Sequence, residues 1–93
     1  MALRHAARDP RTRDLPATEV LTPRQIEIIR ARSNGKLGLA PTVFEAVMAL
    51  ARYFGGHIRR NGDPGWQILG RAYESLLLVE LGWWLATRTE GRV

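Results

Sequence analysis

The residues best suited to chemistry form a short basic segment in the middle of the chain. His57, Arg59, Arg60 and Asn61 follow two glycines. Arginine and asparagine side chains, with free backbone amides at a helix start, bind phosphate oxygens. The segment predicts nucleic-acid contact; the competing interpretation is a solvated loop whose cations satisfy the carbonyl end of the preceding helix. The predicted nucleic-acid-binding residues are Arg30, Arg32, Lys36, Arg52, His57, Arg59, Arg60 and Asn61.

The positive charge is concentrated in one third of the chain. The 93 residues include 14 Lys and Arg against 9 Asp and Glu, a formal charge of +5. Residues 24–60 hold seven basic and two acidic residues, whereas residues 61–93 are slightly acidic and strongly apolar. All basic residues except Lys36 are arginine, which suits phosphate binding, although a GC-rich genome produces the same bias.

Residue types that perform catalysis are scattered. Glu27 and Glu45 belong to different predicted helices, and Glu74 and Glu80 point in different directions on one helix. Metal-dependent phosphoryl transfer needs carboxylates that converge on the ions, and with no cysteine the chain has neither a thiolate nucleophile nor a thiolate zinc site. We therefore expect no enzyme activity, no metal and no cofactor.

Composition predicts one small folded domain. An apolar fraction of 45% is normal for a folded protein. The sequence has no apolar run long enough for a membrane span and no apolar leader near its start. We expect a cytoplasmic protein that does not bind membranes.

Helix start signals predict an all-α domain of three helices. Thr22 with Gln25, and Thr42 with Glu45, are spaced as capping boxes, and 63–64 (Asp-Pro) opens a third helix. No segment shows the alternation typical of a strand. Residues 1–21 contain two prolines and no apolar face, which predicts a flexible tail or linker before a single helical domain over 22–93. The predicted helices cover about 23–33, 42–54 and 64–87.

The third helix carries two apolar seams. One is bulky except for Glu80, and the other consists mainly of small residues, which let a second helix approach closely. Apolar surface beyond what two short helices can cover predicts a protein–protein interface; the alternative is that the first helix and the tail cover it. The bulky seam is Trp66, Leu69, Tyr73, Leu76, Glu80 and Trp83, and the small seam is Ala72, Ser75, Val79, Gly82 and Ala86. The predicted interface residues are Tyr73, Leu77, Leu81, Trp83 and Trp84, with the two tryptophans as anchors.

One segment of the sequence resembles a known family. It reads Phe54-Gly55-Gly56-His57-Ile58-Arg59-Arg60-Asn61-Gly62-Asp63-Pro64-Gly65-Trp66-Gln67-Ile68-Leu69-Gly70-Arg71. It is similar to the C-terminal segment of DDE transposases of the insertion-sequence-four family, which includes the transposon-five enzyme. The resemblance covers roughly 14–86 and is most specific over 51–71. The sequence departs from the family at two places. Gly70 stands where the family usually has a large aromatic residue, and Arg-Asn at 60–61 stands where the family has a more Lys-rich loop.

The resemblance implies a helical appendage that joins two transposase protomers and contacts DNA. The chain would begin after the family's catalytic domain, so it would carry none of the acidic triad and could inhibit transposition by pairing with a complete subunit. We therefore predict a non-catalytic module for dimerisation and DNA contact. The alternatives are a small helical subunit of another nucleic-acid complex, and a folded remnant without present activity.

Overall fold

The computed structural model describes residues 2–57 and 65–90, and within them the chain is all-α, as predicted. Helix α1 spans Ala2–Arg8, α2 spans Pro23–Arg32, α3 spans Val43–Gly55 and α4 spans Trp66–Glu90. A short 3₁₀ turn lies at Ala17–Glu19, and Pro16 pairs with Thr42 in an isolated antiparallel bridge. The three predicted helices are present, with ends shifted by at most three residues. The predicted Asp-Pro cap of the last helix lies outside the described residues.

Both predicted capping boxes are confirmed. At the start of α2, the Gln25 backbone N–H donates to Thr22 Oγ1 at 3.1 Å, and the Thr22 N–H donates to Gln25 Oε1 at 3.0 Å. Thr42 and Glu45 exchange the equivalent bonds at the start of α3. Each box satisfies two amides that the first helical turn leaves without partners.

Helix α3 forms the centre of the core. Five of its residues are buried, and Leu50 has no exposed surface. The first half of α4 packs on α3 through the buried residues Leu69, Ala72 and Leu76. Helix α2 adds Ile26 and Ile29 to this core.

The segment predicted as a flexible tail is instead folded onto α3. Leu3 and Ala7, one turn apart in α1, are both buried. The backbone N–H of Val43 donates to the Leu15 carbonyl at 2.8 Å, and that of Phe44 donates to the Arg13 carbonyl at 2.9 Å. The first amides of α3 therefore find their acceptors in the segment before α2. Because these bonds use backbone atoms, the segment needs no apolar periodicity of its own.

A turn after α1 is held by Asp9. Its Oδ1 accepts a 2.8 Å bond from the Arg11 backbone N–H, and the Arg11 guanidinium lies 3.3 Å from Oδ2. The backbone bond, followed by the guanidinium bond, lowers the pKa of the Asp9 carboxyl from its ordinary value. This turn directs the chain from α1 back towards α3.

The closest approach of α3 to α4 depends on a glycine. A Cβ on Gly55 would lie 2.9 Å from Ile68 Cγ2, 3.2 Å from the Ile68 carbonyl and 3.3 Å from Ala72 Cβ. A side chain at residue 55 would therefore push the two helices apart.

We predict that Gly55→Ala destabilises the protein by about 1–3 kcal/mol, because overpacking outweighs the better helix propensity of alanine. Gly70→Ala, in α4, is the matched control because a methyl group at residue 70 would meet no atom within 4 Å. The control should raise stability by about 0.5–1 kcal/mol. Urea denaturation measures both changes; equal effects of the two substitutions would contradict the close approach.

Candidate functional site

The second half of α4 presents an apolar face, which consists of Leu77, Leu78, Leu81, Trp84 and Leu85. Their exposed fractions run from 41% for Leu77 to 70% for Leu78. Spacings of four, seven and eight residues from Leu77 place Leu81, Trp84 and Leu85 along one side of the helix. The apolar face is thus a continuous stripe about two turns long.

The other side of α4 continues to contact α2 beyond the core. The Gln25 side-chain amide, itself buried, donates to Glu80 Oε1 at 3.2 Å. One turn later, the Arg24 guanidinium lies over the Trp83 ring, 4.7 Å from its centroid. Glu80, the polar residue in the bulky seam, therefore has a specific partner on α2.

The two predicted seams have different outcomes. In the bulky seam, Leu69 and Leu76 are fully buried and Tyr73 packs partly against the core. In the small seam only Ala72 is buried, beside Gly55, whereas Gly82 and Ala86 are exposed. Close helix approach through small residues occurs at Ala72 and does not extend to the exposed end of the seam.

The predicted interface residues divide between core and surface. Leu77, Leu81 and Trp84 lie on the apolar face. Tyr73 lies at the edge of the core, and Trp83, although 46% exposed, is stacked with Arg24. Leu78 and Leu85 belong to the same exposed surface but were not among the predicted interface residues. Leu78 lies three residues before Leu81, and Leu85 lies eight residues after Leu77, so helical spacing places both on this side of α4.

A basic groove lies between α3 and the connection that precedes it. It has a volume of about 350 Å³. Three of the predicted nucleic-acid-binding residues, Lys36, Arg52 and His57, come together there although the sequence separates them. The groove is lined by Lys36, Leu37, Phe44, Glu45, Met48, Ala49, Arg52, Tyr53 and His57.

His57 occupies a different position from the one predicted. Its exposed fraction is 4%, so the side chain lies at the inner end of the groove and not on an exposed bend. Gly56 has a φ of 70°, and the His57 backbone N–H donates to the Ala51 carbonyl at 3.0 Å. This left-handed helix end turns the chain back over α3 and buries the imidazole.

The other predicted cations within the described residues are Arg30 and Arg32. Arg30 Nε donates to the Leu37 carbonyl at 3.2 Å and so holds the connection that carries Lys36. The Arg32 guanidinium lies 4.7 Å from the centroid of the Phe54 ring. Arg59, Arg60 and Asn61 lie outside the described residues.

Sequence reasoning did not identify the aromatic lining of the basic groove. Phe44 and Met48 have the helical spacing of core residues, yet both are only partly buried and line the groove. Tyr53 is half-buried beside them. The sequence feature that could have identified this lining is the four-residue spacing of Phe44, Met48 and Arg52, which places them on one side of α3.

The described residues contain no group of three or more His, Asp or Glu side chains that could hold a metal ion. Within 2–57 and 65–90, no helix combines the length and apolar character that crossing a bilayer requires.

Comparisons of the chain with known protein families, with curated proteins and with solved structures find no match. The transposase resemblance therefore stays a prediction from the sequence.

We predict that Gln25→Glu destabilises the protein by about 1–3 kcal/mol at pH 7, because it removes the donor and places two carboxylates together. Thermal denaturation at pH 7 measures the effect.

The double variant Gln25→Glu with Glu80→Gln reverses the donor and acceptor and should recover most of the stability. Gln67→Glu is the control, since this exposed glutamine on α4 should tolerate the change within about 0.5 kcal/mol. If the double variant were no more stable than Gln25→Glu alone, the pairing of Gln25 with Glu80 would be refuted.

Proposed function

We propose that this chain is a non-catalytic, transposase-derived helical module that associates through the apolar face of α4 and contacts nucleic acid through its basic residues, acting in the cytoplasm. The observation that carries the proposal is the exposure of Leu77, Leu78 and Leu81 in one continuous stripe. The transposase origin rests on the sequence resemblance over roughly 14–86, which is most specific over 51–71.

The size of the apolar face supports a protein partner. The exposed fractions of its five residues correspond to an area on the order of 500 Å², which is large for a surface that serves only solvent contact. Two copies joined through this face would bury about 1,000 Å² in total, the lower limit for a specific interface. A second copy of the chain is therefore a sufficient partner.

Charge favours an antiparallel arrangement of the two copies. With Leu81 at the twofold axis, Leu77 of one copy meets Leu85 of the other. A parallel pair would place Glu74 opposite Glu74. Like charges at the flanks of an apolar helical seam disfavour that orientation.

We predict that Leu81→Glu makes the protein monomeric while leaving its helical content unchanged, because a half-exposed residue contributes little to the core. Leu39→Glu is the matched control, since Leu39 is 83% exposed on the connection before α3. Sedimentation equilibrium at tens of micromolar measures the association. A wild-type protein that stays monomeric there would overturn the association proposal.

Nucleic-acid contact is supported by the distribution of cations. Lys36 and Arg52 are exposed on the groove, and the predicted contacts Arg59 and Arg60 follow α3 in the sequence. Cations gathered on one side attract phosphates and make binding depend on salt.

We predict that Arg59→Ala with Arg60→Ala lowers the slope of log affinity against log salt by about 2, one for each lost phosphate contact. Arg71→Ala, an exposed arginine on α4, is the control and should leave the slope unchanged. Fluorescence anisotropy with a labelled DNA over a salt series provides the measurement; binding that does not respond to salt would contradict phosphate contact.

A second candidate function is a small subunit of another nucleic-acid complex, or the partner of a larger transposase-like protein. The apolar face supports it equally, because a helix from another protein could occupy the same stripe. Affinity capture from the native host, with Leu81→Glu as the negative control, distinguishes the candidates: self-association recovers only this chain. Recovery of no partner, together with no effect of deletion, would favour a remnant without present activity.

A further inference from the structure

The basic groove has an aromatic and apolar floor. Phe44 and Met48 lie one turn apart on α3, and Tyr53 follows about one turn beyond them. All three are partly buried, so their side chains are held by the fold while one side faces the groove. Buried Leu37 closes the side next to the connection.

Two cations line the groove beside this floor. Lys36 and Arg52 are exposed there, while Glu45 is the one acidic residue among the lining side chains. The Arg13 guanidinium lies 4.3 Å from the centroid of the Phe44 ring, so a third positive charge is in contact with one of the lining residues. The groove therefore suits a ligand that combines a flat apolar body with negative charge.

The positions of Tyr53 and Arg52 suit a stacked ligand. The Arg52 guanidinium lies 5.4 Å from the Tyr53 ring centroid, more than an ångström farther than Arg13 lies from Phe44. Arg52 is exposed and can move without disturbing the core. Nucleobases stack on both tyrosine rings and guanidinium planes.

We propose that the basic groove binds one unpaired nucleotide of a single-stranded nucleic acid, with its base on Tyr53 and the adjoining phosphates on Lys36 and Arg52. This inference rests on the nucleic-acid half of the proposed function and adds a preference for single strands. A base inside a duplex is stacked on both faces and cannot enter a groove without unpairing. A volume of about 350 Å³ lies at the lower end of the range for small-ligand sites, which suits one nucleotide.

The first test compares strands and variants. A labelled thymidine oligonucleotide of about 12 residues and a duplex of the same length are titrated with the full chain by fluorescence anisotropy at low salt. The wild type should prefer the single strand. Tyr53→Leu should weaken single-strand binding about tenfold and leave duplex binding unchanged, whereas Tyr53→Phe keeps the ring and should bind like the wild type.

Tyr73→Leu is the matched loss of a tyrosine outside the groove and should leave single-strand binding unchanged. Lys36→Glu is a second variant that tests the groove even if Tyr53→Leu does not fold, because Lys36 is exposed and outside the core. It should weaken single-strand binding more than tenfold. Circular dichroism verifies that each variant is folded.

A second test locates the base without any substitution. A single strand that contains one 4-thiothymidine is cross-linked to the wild-type chain by long-wavelength ultraviolet light, and the adduct is mapped by mass spectrometry after trypsin digestion. The expected adduct lies in the peptide over 53–59, which begins with Tyr53 and ends at the next arginine. An adduct confined to other peptides would overturn the groove as the base site.

The outcomes separate this inference from the proposed function. Equal affinity for single strand and duplex, with no effect of Tyr53→Leu, would overturn the single-strand site and leave phosphate contact standing. Absence of binding to either form would overturn both this site and the nucleic-acid half of the proposed function, while the association through α4 would be unaffected.

Discussion

The difference in length between the two helices that form the core governs the arrangement of the whole molecule. Helix α3 has 13 residues and α4 has 25, which correspond to about 20 and 38 Å. Only the first half of α4 can therefore lie along α3, and Leu76 is fully buried there. Beyond that point α2 holds one side of α4 through the hydrogen bond from Gln25 and the Arg24 guanidinium stacked on Trp83. The apolar face is exposed on this second half of α4.

The same central helix explains the position of the chain's first part. The five buried residues of α3 recur with the i, i+3, i+4, i+7, i+8 spacing of one wide apolar face. Helices α2 and α4 both pack on α3, and the segment before α2 packs on it as well. In that segment Leu3 and Ala7 join the core, and backbone carbonyls accept the first amides of α3. A folded N-terminal segment is thus part of the domain and completes the start of α3.

Much of the fold could be predicted from the sequence because it depends on local rules. The capping boxes at Thr22 and Thr42 and the helix stop at 34–35, where Asn34 has a φ of 57° and Gly35 a φ of 81°, are determined by residues close together in the chain. Helix α1 could not be predicted in this way, because a helix of seven residues is too short to show a clear apolar periodicity. The excess of apolar surface on α4 was also visible, since it follows from counting residues along one helix. The basic groove could not be predicted, because only the tertiary structure brings Lys36 next to α3. The burial of His57 likewise depends on the turn at Gly56.

The predominance of arginine has a structural consequence that lysine would not provide. Among the described residues, four guanidinium groups lie over aromatic rings: Arg13 on Phe44, Arg24 on Trp83, Arg32 on Phe54 and Arg52 on Tyr53. A planar guanidinium can stack on a ring and still direct N–H donors outwards, whereas an ammonium acts as a point charge. In a domain this small, such stacking partly covers aromatic side chains that the core cannot enclose. The positive charge therefore has a role in packing that is independent of the proposed nucleic-acid contact, and the same guanidinium that covers a ring can keep donors directed to solvent, as the exposed Arg52 does at the edge of the basic groove.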